Sequence, residues 1–151
     1  MLQIKRSHSD DYGLLADIWL NVSLKAHDFI DSAYWTSNKM VMQEMYLPQS
    51  ETYVGWDQGQ IIGFISMVEK HLAALFIDEA HQCKGYGRQF MEYVKKDRET
   101  ITLRVYVKNE AAYRFYLKQG FVIAQEQMDE GTNEREYEMV WKRKAEKIEF
   151  I

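Results

Sequence analysis

The stretch from His71 to Gly87 constrains the fold more than any other part of this 151-residue chain. Leu72 to Ile77 is its longest unbroken apolar run. Six apolar residues in an extended segment need cover on both faces, so His71 to Ile77 reads as a buried strand. The run is far too short to span a membrane. A polar turn follows, and Gly85 and Gly87 lie at the start of a helix that begins near Lys84. Phe90, Met91 and Val94 mark one face of that helix, which runs to about Arg98. A doubly covered strand feeding a glycine turn and a helix implies a mixed α/β domain.

The rest of the chain agrees. Leu2 to Lys5 alternates as a short strand. The cluster Ser9-Asp10-Asp11 supplies N-cap residues for a helix from about Asp10 to Lys25, with Leu14, Leu15, Ile18, Trp19 and Val22 at helical spacing. A second helix is expected from Asp31 towards Tyr46, stopped before Pro48. Thr52–Trp56 and Gln60–Val68 flank a hairpin turn at Asp57-Gln58-Gly59. Ile101–Val107 is another strand, Asn109 caps a helix that Gly120 ends, and Phe121–Met128 and Glu134–Trp141 form a closing pair. The expected order is β-α-α-β-β-β-α-β-α-β-β. Residues 1–142 form one domain, and 143–151 a charged, solvated tail.

Composition narrows the function. Hydrophobic residues make up 46% of the chain, enough for a real core. A net charge of −4 argues against a general nucleic-acid binder. The N-terminus lacks a signal-peptide core, and a single cysteine, Cys83, excludes an internal disulfide. A cytoplasmic enzyme that acts away from membranes and nucleic acid is expected. The four histidines and the cysteine show no metal-ligand spacing, so no metal is expected.

The loop carries chemistry of its own. The first N–H groups of a helix have no internal partner and lie at the positive end of its dipole. Glycines at 85 and 87 clear the approach, so the backbone can close around phosphate oxygens, with Lys84 and Arg88 adding charge. Two glycines by themselves are a weak signal, and spacing alone favours the plainer reading of tight strand-to-helix packing. The spacing is neither a Walker loop nor a dinucleotide fingerprint, because Phe90 stands where the third glycine belongs.

Gln82-Cys83-Lys84-Gly85-Tyr86-Gly87 resembles the Gln/Arg-x-x-Gly-x-Gly/Ala pyrophosphate signature of the GNAT superfamily of N-acetyltransferases. Asn109 to Phe121 is similar to that family's Asn-x-x-Ala-x-x-Phe/Leu-Tyr-x-x-x-Gly-Phe element. The resemblance spans about Ile4 to Trp141 and is sharp from Leu75 to Phe121. It implies a twisted, mostly antiparallel mixed sheet of six or seven strands flanked by about four helices. It implies acetyl-CoA as co-substrate, bound by Leu75, Phe76 and Ile77 of a central strand, by Gln82, Cys83, Lys84, Gly85, Tyr86, Gly87 and Arg88, and by Asn109, Ala112, Tyr113 and Tyr116. Backbone amides of Phe76 or Ile77 would polarise the thioester. Tyr116 would protonate the departing thiolate, and Glu69 would relay a proton from the amine, with His71, His27 or no dedicated base as alternatives. Cys83 reads as loop filler rather than nucleophile.

The acceptor is expected to be a primary amine, of a small molecule or of a protein lysine or N-terminus. His27, Phe29, Tyr34, Trp35 and Trp141 are candidate walls of its site, although Tyr34 and Trp35 fit equally as core. An acyl-CoA-binding sensor with little catalysis, and an enzyme using longer acyl groups, are the competing readings. Either a monomer or a homodimer fits.

Overall fold

The computed structural model describes residues 1–144. Its seven strands form one sheet in the order β1-β2-β3-β4-β5-β7-β6. They are β1 Gln3–Arg6, β2 Glu51–Asp57, β3 Gln60–Val68, β4 His71–Ile77, β5 Thr100–Tyr106, β6 Val122–Asp129 and β7 Glu134–Lys142. All neighbours are antiparallel except β4 and β5. The expected mixed, mostly antiparallel sheet is therefore present.

On one face, helices α5 (Tyr86–Lys95) and α6 (Glu110–Lys118) bury Phe90, Met91 and Val94 against Ile62, Ile65, Ile101 and Leu103. On the other face, α1 (Tyr12–Ala26) buries Leu15, Ala16 and Trp19 against Val54, Phe64 and Ala74. Alternation along β5 divides its side chains accordingly: Ile101, Leu103 and Val105 belong to the first core, and Tyr106 packs against the second. In β3 every residue from Ile62 to Met67 is buried, because both its faces are covered. A fully buried Phe64 or Phe90 contributes roughly 2–3 kcal/mol through removal from water. None of the helices is long and apolar enough to cross a membrane among the described residues.

Two local expectations are refined. The second helix runs on through Pro48 as α2 (Ser32–Ser37), α3 (Lys39–Val41), a π-turn (Met42–Tyr46) and α4 (Leu47–Gln49). The Leu47 N–H donates to the Met42 carbonyl, five residues back. A π-turn widens the helix just before Pro48, whose ring otherwise meets a carbonyl of the preceding turn. The other refinement concerns the expected tail, most of which lies outside the described residues. Its first residue, Arg143, donates through Nη2 to the Arg98 carbonyl at 2.9 Å and so caps the chain end that follows α5.

Candidate active site

Parallel neighbours β4 and β5 pair only at His71↔Thr102 and Leu72↔Leu103. Beyond those positions each is held by its other neighbour alone, β3 or β7. A bulge contributes to the divergence. Ser66 faces Ala74 while Met67 faces Leu72, which leaves Ala73 as an extra residue that bends β4. The facing edges open towards Ile77 and Tyr106 and hold a cavity of about 640 Å³.

One group of lining residues comes from the loop after β4: Gln82, Cys83, Gly85, Tyr86, Gly87 and Arg88. Gly85 is the N-cap of α5, with φ +83°, and Cys83 has φ +63°. A Cβ at Gly85 would meet nothing within 4 Å, so the residue is there for its left-handed backbone. Gly87 differs: a Cβ there would lie 3.2 Å from the Phe115 ring, so its role includes close packing of α5 on α6. The first backbone bond of α5 is Gln89 N–H to the Gly85 carbonyl. The amides of Gly85 to Arg88 have no protein acceptor among the described residues, and they form a ready anion cradle. Gln82 Nε2 donates to the Ile77 carbonyl at 2.9 Å and ties the loop to the end of β4. The Tyr86 hydroxyl donates to Asp57, which ties it to the β2–β3 turn and holds the Asp57 carboxyl below its ordinary range.

A second group comes from widely separated segments: His27, Trp35, Tyr106, Asn109 and Glu136. The Asn109 carbonyl oxygen caps α6 by accepting from Ala112 N–H, and this fixes the amide so that Nδ2 donates to His27 Nε2 at 3.1 Å. His27 is therefore the neutral tautomer with its proton on Nδ1. Burial lowers its pKa to about 4. Its ring stacks on Trp35 at 5.0 Å and meets Phe29 and Tyr106 edge-on. Tyr106 donates to Asp129 Oδ2 at 3.0 Å, and burial holds its hydroxyl far above the ordinary value.

Helix α6 touches both groups and carries Tyr116. At the start of that helix Asn109 touches His27, and Phe115, about 9 Å further along the axis, lies against Gly87. Tyr116 follows Phe115, is 8% exposed and lines the cavity. Its hydroxyl has no hydrogen-bond partner among the described residues, and burial raises its pKa strongly.

Leu75, Phe76, Ile77 and Ala112 also line the cavity. Lys84 is exposed and does not line it, and Tyr113 packs edge-on against Tyr137 instead. Phe29 and Tyr34 stand behind the wall, against His27 and Trp35 respectively. Trp141 packs on the opposite face of the sheet, beside Gly120 and Lys95. Glu69 is exposed, with φ +54°, in the turn before β4. That turn adjoins the closed end of the wedge, where Thr102 N–H donates to the Lys70 carbonyl, so the structure does not bring Glu69 to the cavity. His71 also sits at this end, bonded to Thr102 Oγ1 at 2.9 Å. Tyr106, Arg104 and Glu136 line the cavity without having been singled out by sequence. Their only signal in the sequence is the alternation of polar and apolar residues in β5 and β7, which marks a strand and not a site.

Residues 48–123 match the family described as acetyltransferase (GNAT) domain. The chain is 31% identical to the peptidyl-lysine N-acetyltransferase YiaC of Escherichia coli K12 over 121 residues, covering 80% of this chain and 83% of the relative. The chain belongs to the GNAT acetyltransferase family. This GNAT domain is an N-acetyltransferase, and acetyl-CoA is the donor of its class. It is also 30% identical to the peptidyl-lysine N-acetyltransferase YjaB of Salmonella typhimurium LT2 over 124 residues, covering 82% and 85% of the two chains. The solution structure of apo YjaB from Escherichia coli superposes with a TM-score of 0.83 at 27% identity, covering 93% of this GNAT chain and 97% of that one. The fold alone is shared with the PaiA N-acetyltransferase of Thermoplasma acidophilum in complex with coenzyme A, at TM-score 0.78 and 17% identity, covering 95% and 99%.

Proposed function

We propose that this enzyme transfers the acetyl group of acetyl-CoA to the side-chain amine of lysine in a protein or peptide. The observation that carries the proposal is one cavity lined by both residue groups, with the unpaired Tyr116 hydroxyl in its wall. The amides of Gly85 to Arg88 suit the pyrophosphate, and the unladdered edge of β4 from Ala73 to Ile77 suits the amide-bearing arm that leads to the thioester. Lysine is favoured as acceptor by the peptidyl-lysine activity of the relatives named above.

The neutral amine attacks the thioester carbonyl carbon, and a tetrahedral oxyanion forms. An amide N–H of β4 is suited to stabilise it. Collapse breaks the C–S bond, and the thiolate takes the phenolic proton of Tyr116. Burial keeps that phenol protonated at neutral pH, so it is available at each turnover. The proton lost by the amine on acylation replenishes the tyrosine, so the neutral amine yields acetyl-lysine and coenzyme A; the one further proton is shed to solvent beforehand, when the bound ammonium becomes the neutral amine.

The test is incubation of purified protein with acetyl-CoA and lysine peptides, with free thiol and acetylated lysine measured together. Thiol release that depends on the peptide, with the label on the lysine Nζ, is expected. Tight acetyl-CoA binding without acetylation of any lysine peptide or amine would favour a binding module instead.

A further inference from the structure

Glu136 lies on β7, directly opposite Tyr106 of β5 in the sheet register. It is 8% exposed and lines the cavity. Its Oε1 accepts from Gln127 Nε2 at 3.0 Å, and no cation pairs with it among the described residues. A carboxylate held in a cavity wall by a single neutral amide is costly, because burial removes water that only a cation or several donors replace.

The surrounding carboxylates are provided for in a way that Glu136 is not. Asp129 accepts from the hydroxyls of Tyr106 and Thr132 and from Gly131 N–H. Glu134 pairs with Lys108 at 3.2 Å. Glu138 is bonded by Gln125 at 2.9 Å, and its register partner Arg104 is an exposed cation that lines the cavity without pairing to either glutamate. Tyr106, directly opposite Glu136 in the register, meets the rings of His27 and Trp35 edge-on. Three buried side-chain polar atoms lack a partner among the described residues, and two of them, His27 Nδ1 and Trp35 Nε1, belong to these rings. A partner that satisfied Glu136 in this setting would carry positive charge and N–H donors, and an apolar stem would suit the neighbouring rings.

We propose that Glu136 is the specificity-determining residue for the acceptor, and that its carboxylate binds the incoming primary ammonium beside the Tyr106 and Trp35 rings. This rests on the reading of a lysine-type acceptor given above. Aromatic faces add cation–π attraction to the ion pair. The same contact discriminates against neutral side chains, which leave the carboxylate buried and unpaired.

The proposal is tested on protein loaded with coenzyme A, which cannot transfer an acetyl group. Blocked lysine (Nα-acetyl-lysine N-methylamide) and its neutral counterpart, blocked norleucine, are titrated by calorimetry into wild type, Glu136→Gln and Glu136→Asp. Wild type binds lysine at least about tenfold more tightly than norleucine, and Glu136→Gln loses about tenfold or more for lysine only. Glu136→Asp recovers part of the loss. With acetyl-CoA, Glu136→Gln raises the lysine KM and leaves coenzyme affinity unchanged. Equal lysine affinity in wild type and Glu136→Gln overturns the assignment while leaving lysine acetylation intact. Wild type that acetylates no lysine peptide overturns the functional reading itself, and the assignment with it. Glu136→Gln and the apolar Glu136→Met keep or raise the thermal midpoint, because each removes a buried unpaired charge. Unfolding of both variants assigns the carboxylate a structural role and overturns the proposal.

Discussion

The two ends of the cavity are built differently. At the loop end, the groups that face a ligand are backbone amides, arranged by Gly85, Gly87 and the start of α5 within one short stretch of chain. At the other end they are side chains, His27, Trp35, Tyr106, Asn109 and Glu136, brought by α1, α2, β5, the α6 cap and β7. A backbone-built end tolerates changes of side chain and fails when the chain path changes. A side-chain-built end fails one residue at a time. Tyr116 lines the same cavity, and the proposed role gives it to the chemistry rather than to binding at either end.

The largest effect tests that last point. Tyr116→Phe is expected to lower kcat about 10²–10³-fold, the size of a lost general acid, with acetyl-CoA affinity unchanged by calorimetry. The fold is retained, because the hydroxyl has no partner to lose among the described residues. Unaltered turnover would remove Tyr116 from the mechanism and leave the two ends without a chemical link.

His27 gives the next effect, specific to the side-chain end. Its folded pKa of about 4 lies below the ordinary 6.5, so the unfolded chain takes up the proton first. Stability therefore falls as pH drops from about 6.5 to 4, by on the order of 3 kcal/mol in all. Glu and Asp titrations overlap this window, so the measurement is the difference between wild type and His27→Gln in urea unfolding at pH 7 and pH 4.5. The variant keeps an acceptor for Asn109 and loses the histidine's share of the slope. Parallel pH dependences in the two proteins would show that His27 is not held neutral by its surroundings.

A smaller effect is expected at the loop end. Gly85→Val places a β-branched residue at φ +83°, which costs about 1–2 kcal/mol in that conformation. Acetyl-CoA should bind about tenfold more weakly, with lysine KM little changed when acetyl-CoA is saturating. An altered lysine KM with normal coenzyme affinity would reverse the assignment of the two ends. The smallest effect is at Cys83, which is exposed and lines the same end. Cys83→Ser should change kcat/KM by less than about twofold, since a serine keeps the backbone path and substitutes a similar small side chain.

Legibility in the sequence followed the same division. Gln82 to Gly87 sits in consecutive residues, where glycine spacing and a following helix face report a local backbone shape directly. Asn109 was readable as a cap for the same reason, and it does cap α6. The β7 glutamates carried no such signal. Glu136 and Glu138 alternate with Tyr137 and Met139 as any half-exposed strand would, and only the wedge beside β5 makes one of them a cavity wall. Glu69 shows the converse. A carboxylate at a strand end is a reasonable proton relay in sequence, yet the direction in which β4 and β5 separate leaves it at the closed end.

By itself, then, the sequence determined the order of strands and helices, the glycine loop at the start of α5 and the position of Tyr116 on its helix, because each depends on interactions between residues close along the chain. Tertiary structure alone decided which side chains meet opposite that loop. His27 and Glu136 are more than a hundred residues apart, and their place in one cavity depends on sheet register and on the two ladder pairs at which β4 and β5 part.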